Sequence, residues 1–253
     1  VEGTYNENIN INQRSVSLLG GYANCADATN DIYNAQSTST TISPANGSGS
    51  PAVTILGNDQ RYTVNLRNLS ITNGEGVGFT PGGGISTLAA DLQLNLDFVY
   101  ILSNTGSAFG GGIAVVAGNT DVKAYNLMVL SNEADSGGGI YCGGPEASVF
   151  VDGASNNGYG IVGNNATAGD GGGVLIADEC RFTSYVGSPE NSLFDLRGIA
   201  YNNATGNGGG LAAKSGAIIG LYGNRFCTFI GPFACYGDIS RPVSLSHNVA
   251  DSD

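Results

Sequence analysis

The side chains that could do acid–base chemistry in this chain are carboxylates scattered along its length. Glycoside hydrolases need two carboxylates a short distance apart, one as an acid and one as a base or nucleophile. Asp178 and Glu179 are adjacent, so on a strand they would point to opposite faces. Asp91 and Asp97 could share a face, but they have no base nearby. The pattern favours a protein that is not an enzyme, with a polysaccharide lyase or glycoside hydrolase as the alternative. The other candidates are Asp121, Asp152, Asp170 and Asp195.

Charge and motif patterns restrict the partners and cofactors. The net charge of −12 would repel a phosphate backbone, so we expect no nucleic-acid partner. Asp135 and Asp170 stand just before glycine-rich turns, where carboxylates can bind Ca²⁺. The GGxGxDxUx nonapeptide of calcium-binding β-rolls is absent. We therefore expect no cofactor, with Ca²⁺ as the alternative to test.

The five cysteines favour disulfides over a metal site. None forms a CxxC pair, and the single histidine cannot complete a common zinc site. Cys227 and Cys235 flank a short loop, which makes a local bridge plausible. Cys142 and Cys180 could face each other on neighbouring coils if the chain stacks, and Cys25 is then left over. Disulfides indicate an oxidising compartment.

Five glycine triplets impose a repeat on the chain. They are separated by intervals of 28, 27, 34 and 37 residues, and an aliphatic residue follows each. Segments of alternating apolar and polar residues lie between them, as in Leu92, Leu94, Leu96 and Phe98, which is typical of strands. The triplets are Gly82, Gly83 and Gly84; Gly110, Gly111 and Gly112; Gly137, Gly138 and Gly139; Gly171, Gly172 and Gly173; Gly208, Gly209 and Gly210.

Short strands with a period near 27 residues predict an all-β fold, a single-stranded right-handed parallel β-helix of eight or nine coils. A β-propeller or sandwich is the alternative, but Asn-Gly turns do not recur at a blade period. We treat 1–253 as one domain. Within it, 1–70 form the N-terminal coils, 71–223 the regular coils, 224–240 a disulfide loop insertion and 241–253 the start of a further coil.

The repeated residues have a structural explanation. Glycines allow positive φ at coil corners and the close approach of stacked backbones. An asparagine precedes each triplet, and asparagines tolerate left-handed geometry. Stacked asparagines would form an internal amide ladder, with a row that binds sugar as the alternative. The asparagines are Asn73, Asn104, Asn132, Asn164 and Asn202, with Asn248 at the equivalent place near the end.

Aromatic residues offer one candidate contact site. Tyrosines such as Tyr62, Tyr100 and Tyr125 could line a glycan-binding face. Because stacked strands bury many aromatic residues, we instead expect them to pack in the core or at its rim. The segment 224–237 instead interrupts the coil period, and loops on rigid scaffolds often bind partners. Its candidate contact residues are Phe226, Phe229, Phe233 and Tyr236.

The repeat resembles that of the polymorphic outer membrane proteins, which combine a GGA[ILV] and an FxxN tetrapeptide in each coil. Here Ile101–Asn104 precedes GGGI at 110–113, and Val129–Asn132 precedes GGGI at 137–140. Glycine replaces the alanine, and an aliphatic residue replaces the phenylalanine. The resemblance implies an extracellular or cell-surface protein associated with a bacterial outer membrane, with an adhesive or structural role.

The ends of the chain predict further assembly. The last residues repeat the pattern that elsewhere leads into a triplet, and solenoid ends expose strand edges. We expect a longer polypeptide, or copies of the chain stacked end to end into filaments. Other copies, surface polymers or a host surface are the expected partners. No apolar run approaches the ~18 residues that span a bilayer, and the start has no secretory signal pattern.

Overall fold

The computed structural model describes residues 1–32, 39–57, 60–78, 80–152, 160–185, 198–214, 216–222, 225–228 and 234–238. One short helix, α1 (Cys25–Thr29), lies in the N-terminal part. Asn24 caps it, because its side-chain oxygen accepts a hydrogen bond from the backbone N–H of Asp27 at 3.0 Å. Among these residues, no helix has the length and apolar character needed to cross a membrane.

Apart from α1, all regular secondary structure in the described residues is β-strand. The strands are β1 (Gly3–Tyr5), β2 (Ile9–Asn12), β3 (Val16–Leu19), β4 (Thr40–Ile42), β5 (Val53–Leu56), β6 (Tyr62–Thr72), β7 (Glu75–Gly76), β8 (Ile85–Leu88), β9 (Leu92–Leu102), β10 (Thr105–Gly106), β11 (Ile113–Val115), β12 (Asp121–Leu130), β13 (Glu133–Ala134), β14 (Ile140–Cys142), β15 (Ser148–Asp152), β16 (Gly160–Val162), β17 (Asn165–Ala166), β18 (Val174–Ile176), β19 (Arg181–Tyr185), β20 (Gly198–Ala200), β21 (Asn203–Ala204), β22 (Leu211–Ala213), β23 (Ile218–Tyr222), β24 (Arg225–Thr228) and β25 (Ala234–Asp238).

These strands form three sheets that run the length of a parallel β-helix. Sheet 1 has 13 strands and follows the order β1-β4-β6-β9-β12-β16-β20-β24-β25, with β3 beside β6 and with β15, β19 and β23 stacked beyond β12. Sheet 2 has seven strands in the order β2-β5-β8-β11-β14-β18-β22, and sheet 3 has five, from β7 to β21. Among the described pairs, only β24 and β25 are antiparallel. The predicted β-helix is therefore confirmed.

The aliphatic residues after the glycine triplets stack in sheet 2. Ile85, Ile113, Ile140, Val174 and Leu211 occupy the same register position in successive strands. The first four are fully buried. Burying each such side chain contributes about 1.5–3 kcal/mol of hydrophobic free energy. The row is part of one core cluster that runs through the coils.

Alternation in sheet 1 places a second set of aliphatic residues in the same core. In β9, Leu92, Leu94 and Leu96 are fully buried. The expectation that Phe98 continues this inward row is wrong, because its φ of 50° bends the strand there. The bend shifts the phase by one residue, so Val99 faces the core instead. Residues in register with Phe98, at 68 and 126, have the same left-handed backbone.

Coil length varies more than the triplet spacing suggested. Successive rungs of sheet 2 are 44, 32, 28, 27, 34 and 37 residues apart. The described residues hold seven rungs of this sheet. Only the middle coils have the period near 27 residues on which the sequence estimate of eight or nine coils was based. That estimate for the whole chain stays a prediction.

Candidate functional site

The glycine triplets form tightly packed corners between sheet 3 and sheet 2. Gly137 has a φ of 63°, which lies in the left-handed region that glycine adopts most readily. A side chain on Gly138 would collide with the backbone carbonyl of Asn165 in the next coil, and one on Gly139 with that of Gly173. The triplet is therefore required by backbone packing and leaves no room for a ligand.

The asparagines before the triplets form a buried ladder. Asn104 Nδ2 donates to Asn132 Oδ1 at 2.9 Å, Asn132 Nδ2 donates to Asn164 Oδ1 at 3.0 Å, and Asn164 Nδ2 donates to Asn202 Oδ1 at 2.9 Å. Each amide also donates to a backbone carbonyl, as Asn132 does to Ile101 at 2.9 Å. The four side chains are 1–2% exposed. The ladder holds the coils together and is inaccessible to a sugar.

Two details of the ladder differ from the sequence interpretation. Asn73 is exposed, and Gly74 takes the ladder position of its coil, where its backbone N–H donates to Asn104 Oδ1 at 2.9 Å. The left-handed residue is the one before each ladder asparagine, such as Ser103 and Ser131, each with a φ near 54°. The asparagine itself follows that bend, which turns its side chain inward.

A disulfide joins two neighbouring coils. Cys142 at the end of β14 is bonded to Cys180 just before β19, with their Cα atoms 5.9 Å apart and both residues fully buried. The pairing that stacking made plausible is confirmed. Closing a loop across the sequence separation of 38 stabilises the fold by about 4 kcal/mol in the chain-entropy model. Cys25 is exposed and has a free thiol.

The predicted contact loop is described only in part. The backbone pairing of β24 and β25 places Cys227 opposite Cys235 and Phe226 opposite Tyr236. β24 also pairs in parallel with β20, so residues 225–228 continue sheet 1. The bridge between Cys227 and Cys235 stays a prediction. The candidate residues that lie outside the described residues are Asp195, Phe229, Phe233 and Asn248.

Several of the candidate carboxylates accept hydrogen bonds from residues of the neighbouring coil. Asp97 accepts a hydrogen bond from Asn126 Nδ2 at 3.2 Å, and Asp170 accepts one from the backbone N–H of Asn207 at 2.7 Å. Asp91 accepts from the Asn119 amide, and Asp121 accepts from the Ser148 hydroxyl. Each bond joins one coil to the next. Within the described ranges, no group of three or more His, Cys, Asp or Glu could hold a metal ion.

Asp91 and Asp97 are too far apart to act as a catalytic pair. They stand at the two ends of an extended segment whose six-residue length corresponds to about 20 Å. Paired carboxylates in glycoside hydrolases lie within about 10 Å of each other. The sequence suggestion that these two residues share a site therefore has no geometric support.

A groove follows the turns that lead from sheet 2 into sheet 1. Its volume is about 680 Å³, and charged residues from several coils line it. Glu146 and Glu179 occupy equivalent, exposed positions on adjacent coils, so their backbones lie about 4.8 Å apart. The charged lining residues are Arg61, Asp121, Glu146, Glu179 and Arg181.

Beside the groove, the outward-facing residues of β9, β12, β15 and β19 form a regular grid, which we call the outer face. The inward residues between them are buried, so alternation directs these side chains to solvent. Three rows run along the coils. They are Gln93, Asp121, Ser148 and Arg181; Asn95, Lys123, Phe150 and Thr183; and Asp97, Tyr125, Asp152 and Tyr185.

Three aromatic rings stand on adjacent strands of the outer face. Tyr125 is 45% exposed and Tyr185 is 48% exposed, so the expectation that Tyr125 packs in the core or at its rim is wrong. The Tyr125 and Phe150 rings lie 5.9 Å apart and are tilted by 58°. Sequence reasoning did not single out Phe150 or Tyr185. The available signal was the alternation along each strand. Phe150 is one residue from buried Val149, and Tyr185 is three residues from buried Phe182, so both side chains face outward.

The charges on the outer face nearly balance. Lys123 Nζ lies 3.4 Å from an Asp121 carboxylate oxygen. Asp97 and Asp152 flank Tyr125 in their row, and Arg181 is exposed at the groove edge. Because the exposed pair is screened by water, it contributes at most about 1 kcal/mol to stability. The face thus offers donors, acceptors and rings without a strong field of one sign.

A different aromatic pair lies on sheet 2. Phe109 and Tyr141 stack with ring centroids 4.5 Å apart, and Tyr141 is 8% exposed. Burial, assisted by the nearby Asp178 charge, raises the pKa of Tyr141 above its ordinary value. This pair packs the outside of sheet 2 and gives a reference for the exposed rings of the outer face.

No known family model matches the chain, and no curated protein or solved structure matches it either. The fold and the two surface features, the groove and the outer face, are therefore the basis for any functional conclusion.

Proposed function

We propose that the chain belongs to an extracellular or cell-surface protein with a structural and adhesive role, and that it does not act as an enzyme. The observation that carries the proposal is the outer face, where exposed aromatic rings stand on a scaffold of hydrogen-bonded parallel coils. The ladder and the disulfide hold the coils beneath it. Exposed rings on a rigid support are typical of binding surfaces.

The disulfide supports the location. Cys142 and Cys180 are buried in the coil stack, so their bond belongs to the folded core. Structural disulfides persist in oxidising compartments and are rare in reducing ones. An extracellular or surface protein of the polymorphic outer membrane type is consistent with this bond and with the glycine and asparagine repeat.

Surface location can be tested on intact cells that produce the protein. A membrane-impermeant amine-reactive biotin reagent should label Lys123 or Lys214 before lysis. Thiol alkylation of the denatured protein without reductant should leave Cys142 and Cys180 unmodified, because they are bonded to each other. Cys25, which is exposed, is the internal control for thiol access. Labelling that requires lysis, together with two alkylated core cysteines, would contradict the proposal.

End-to-end assembly into filaments stays a prediction of the repeat. Negative-stain electron microscopy of the purified protein distinguishes separate short rods from filaments. Rods of constant length at every protein concentration would remove filament formation while leaving the adhesive role untouched.

A second candidate is a polysaccharide-cleaving enzyme, and the groove favours it. Glu146 and Glu179 lie on adjacent coils and line the groove together with Arg181, and the coil spacing is compatible with two carboxylates acting on one glycosidic bond. Incubation with a panel of polysaccharides and measurement of new reducing or unsaturated ends tests it. Activity that is lost in both Glu146→Gln and Glu179→Gln would replace the non-enzymatic proposal.

A further inference from the structure

We infer that the outer face binds an uncharged polysaccharide chain that lies along the coil axis, across the strands. This inference rests on the proposed adhesive function and names its partner. The residues that carry it are the row Asp97, Tyr125, Asp152 and Tyr185, together with Phe150 in the neighbouring row.

The row alternates carboxylates and rings from coil to coil. Asp97 is in β9, Tyr125 in β12, Asp152 in β15 and Tyr185 in β19. Successive positions are about 4.8 Å apart, which is close to the length that one sugar adds to an extended polysaccharide. A chain lying along the row therefore meets one coil with each sugar unit.

The two side-chain types suit the two surfaces of a sugar. A pyranose ring has faces of C–H groups, which pack against aromatic rings, and an edge of hydroxyl groups, which donate to carboxylates. Tyr125 and Tyr185 are two coils apart, about 10 Å, so they would contact alternate sugars. Phe150 stands between them on β15 and is tilted against Tyr125, which widens the apolar platform.

Charge selects an uncharged polymer. The outer face carries Asp97, Asp121 and Asp152 against Lys123 and Arg181, and Lys123 is paired with Asp121 at 3.4 Å. The chain as a whole has a net charge of −12. A polyanion would meet a repulsive potential, and a polycation would be attracted to the chain as a whole rather than to the outer face, where the charges nearly balance. A neutral chain needs only the hydroxyl acceptors and the rings.

Affinity electrophoresis of the full chain tests the inference. Native gels are cast with uncharged polymers (hydroxyethyl cellulose, xyloglucan, galactomannan and arabinoxylan), with anionic polygalacturonate, and without polymer. We expect at least one uncharged polymer to retard the protein. Tyr125→Ala, Phe150→Ala and Tyr185→Ala should each raise its apparent Kd by about 3- to 10-fold. The triple variant should migrate as it does without polymer.

The control variant is Phe109→Ala, which removes a partly exposed ring from the sheet 2 pair. It should be retarded like the unmodified protein, and thermal melting should show that every variant remains folded. Undiminished retardation of the triple variant would overturn the inference. So would retardation by none of the uncharged polymers, or by polygalacturonate alone.

The result is separable from the proposed function. If no polysaccharide is bound but the protein is still labelled on intact cells, the partner is wrong and the surface location stands. If the protein is found only inside cells, the proposed function fails whatever the gels show.

Discussion

The asparagine ladder and the outer face both consist of equivalent positions that stack in successive coils. They differ in residue identity along the stack. The ladder repeats one residue type in four coils, from Asn104 to Asn202, and is almost completely buried. The outer face changes residue type at nearly every step, as from Tyr125 to Asp152, and is open to solvent.

The difference follows from what each position must satisfy. A buried amide needs donors and acceptors in a fixed geometry above and below it, and only another asparagine supplies both. An outward side chain can form its hydrogen bonds with water, so packing does not fix the residue type at that position and the residue can be one that binds a partner. In this β-helix, a row that repeats one residue type is buried and structural, whereas a row that varies in residue type is exposed to solvent and available for binding.

The largest expected effect comes from breaking a corner. Gly138→Ala should lower the free energy of unfolding by about 5 kcal/mol or prevent folding, because the new methyl group collides with the rigid Asn165 backbone. Chemical denaturation or circular dichroism measures the loss. Thr105→Ala, at an exposed position of sheet 3, is the control and should stay within about 0.5 kcal/mol of the unmodified chain. Equal stability of both variants would remove the steric explanation of the triplets.

A smaller loss is expected from one rung of the ladder. Asn132→Ala removes the acceptor of Asn104 and a donor to both Asn164 and the Ile101 carbonyl, leaving buried groups without partners. The free energy of unfolding should fall by about 3 kcal/mol, measured by denaturant titration.

The matched control for the ladder is Asn203→Ala. Asn203 Nδ2 also donates to an asparagine of the neighbouring coil, Asn165 Oδ1, at 3.0 Å, but the residue is exposed. Water can replace that bond, so the cost should be at most about 1 kcal/mol. If both asparagines cost the same, burial does not explain why the ladder repeats one residue.

The smallest effect on stability is expected on the outer face. Tyr125→Ala should change the free energy of unfolding by about 0.5 kcal/mol or less, because Tyr125 is 45% exposed and points outward from the core. Leu127→Ala, two residues along the same strand and 1% exposed, should cost about 3 kcal/mol by opening a cavity. Thermal melting compares the two. A large loss of stability in Tyr125→Ala would show that the ring stabilises the fold and would argue against the proposed binding role of the outer face.

The sequence predicts the features that repeat in each coil, but not those that depend on the exact position of a backbone bend within a coil. The glycine spacing predicts the coils, and the stacked isoleucines from Ile85 to Ile140 follow from it. Asn73 was placed in the ladder because it precedes a triplet, but the left-handed residue of that coil is Asn73 itself, so Gly74 takes the inward place. Phe98 was taken as part of the apolar alternation because it is itself apolar, and it therefore masks the one-residue phase shift at the bend in β9.

The sequence by itself determined the coil: where it turns, which aliphatic residues follow each turn into the core, and that asparagines stack between coils, because each depends on local backbone preferences repeated along the chain. Only the tertiary structure decided which residues of different coils become neighbours. Tyr125, Phe150 and Tyr185 are 25 and 35 residues apart in the chain, and unequal coil lengths conceal that they lie on one face. Hydrogen-bond register between parallel strands brings them to one face, and that register is a property of the stacked coils together.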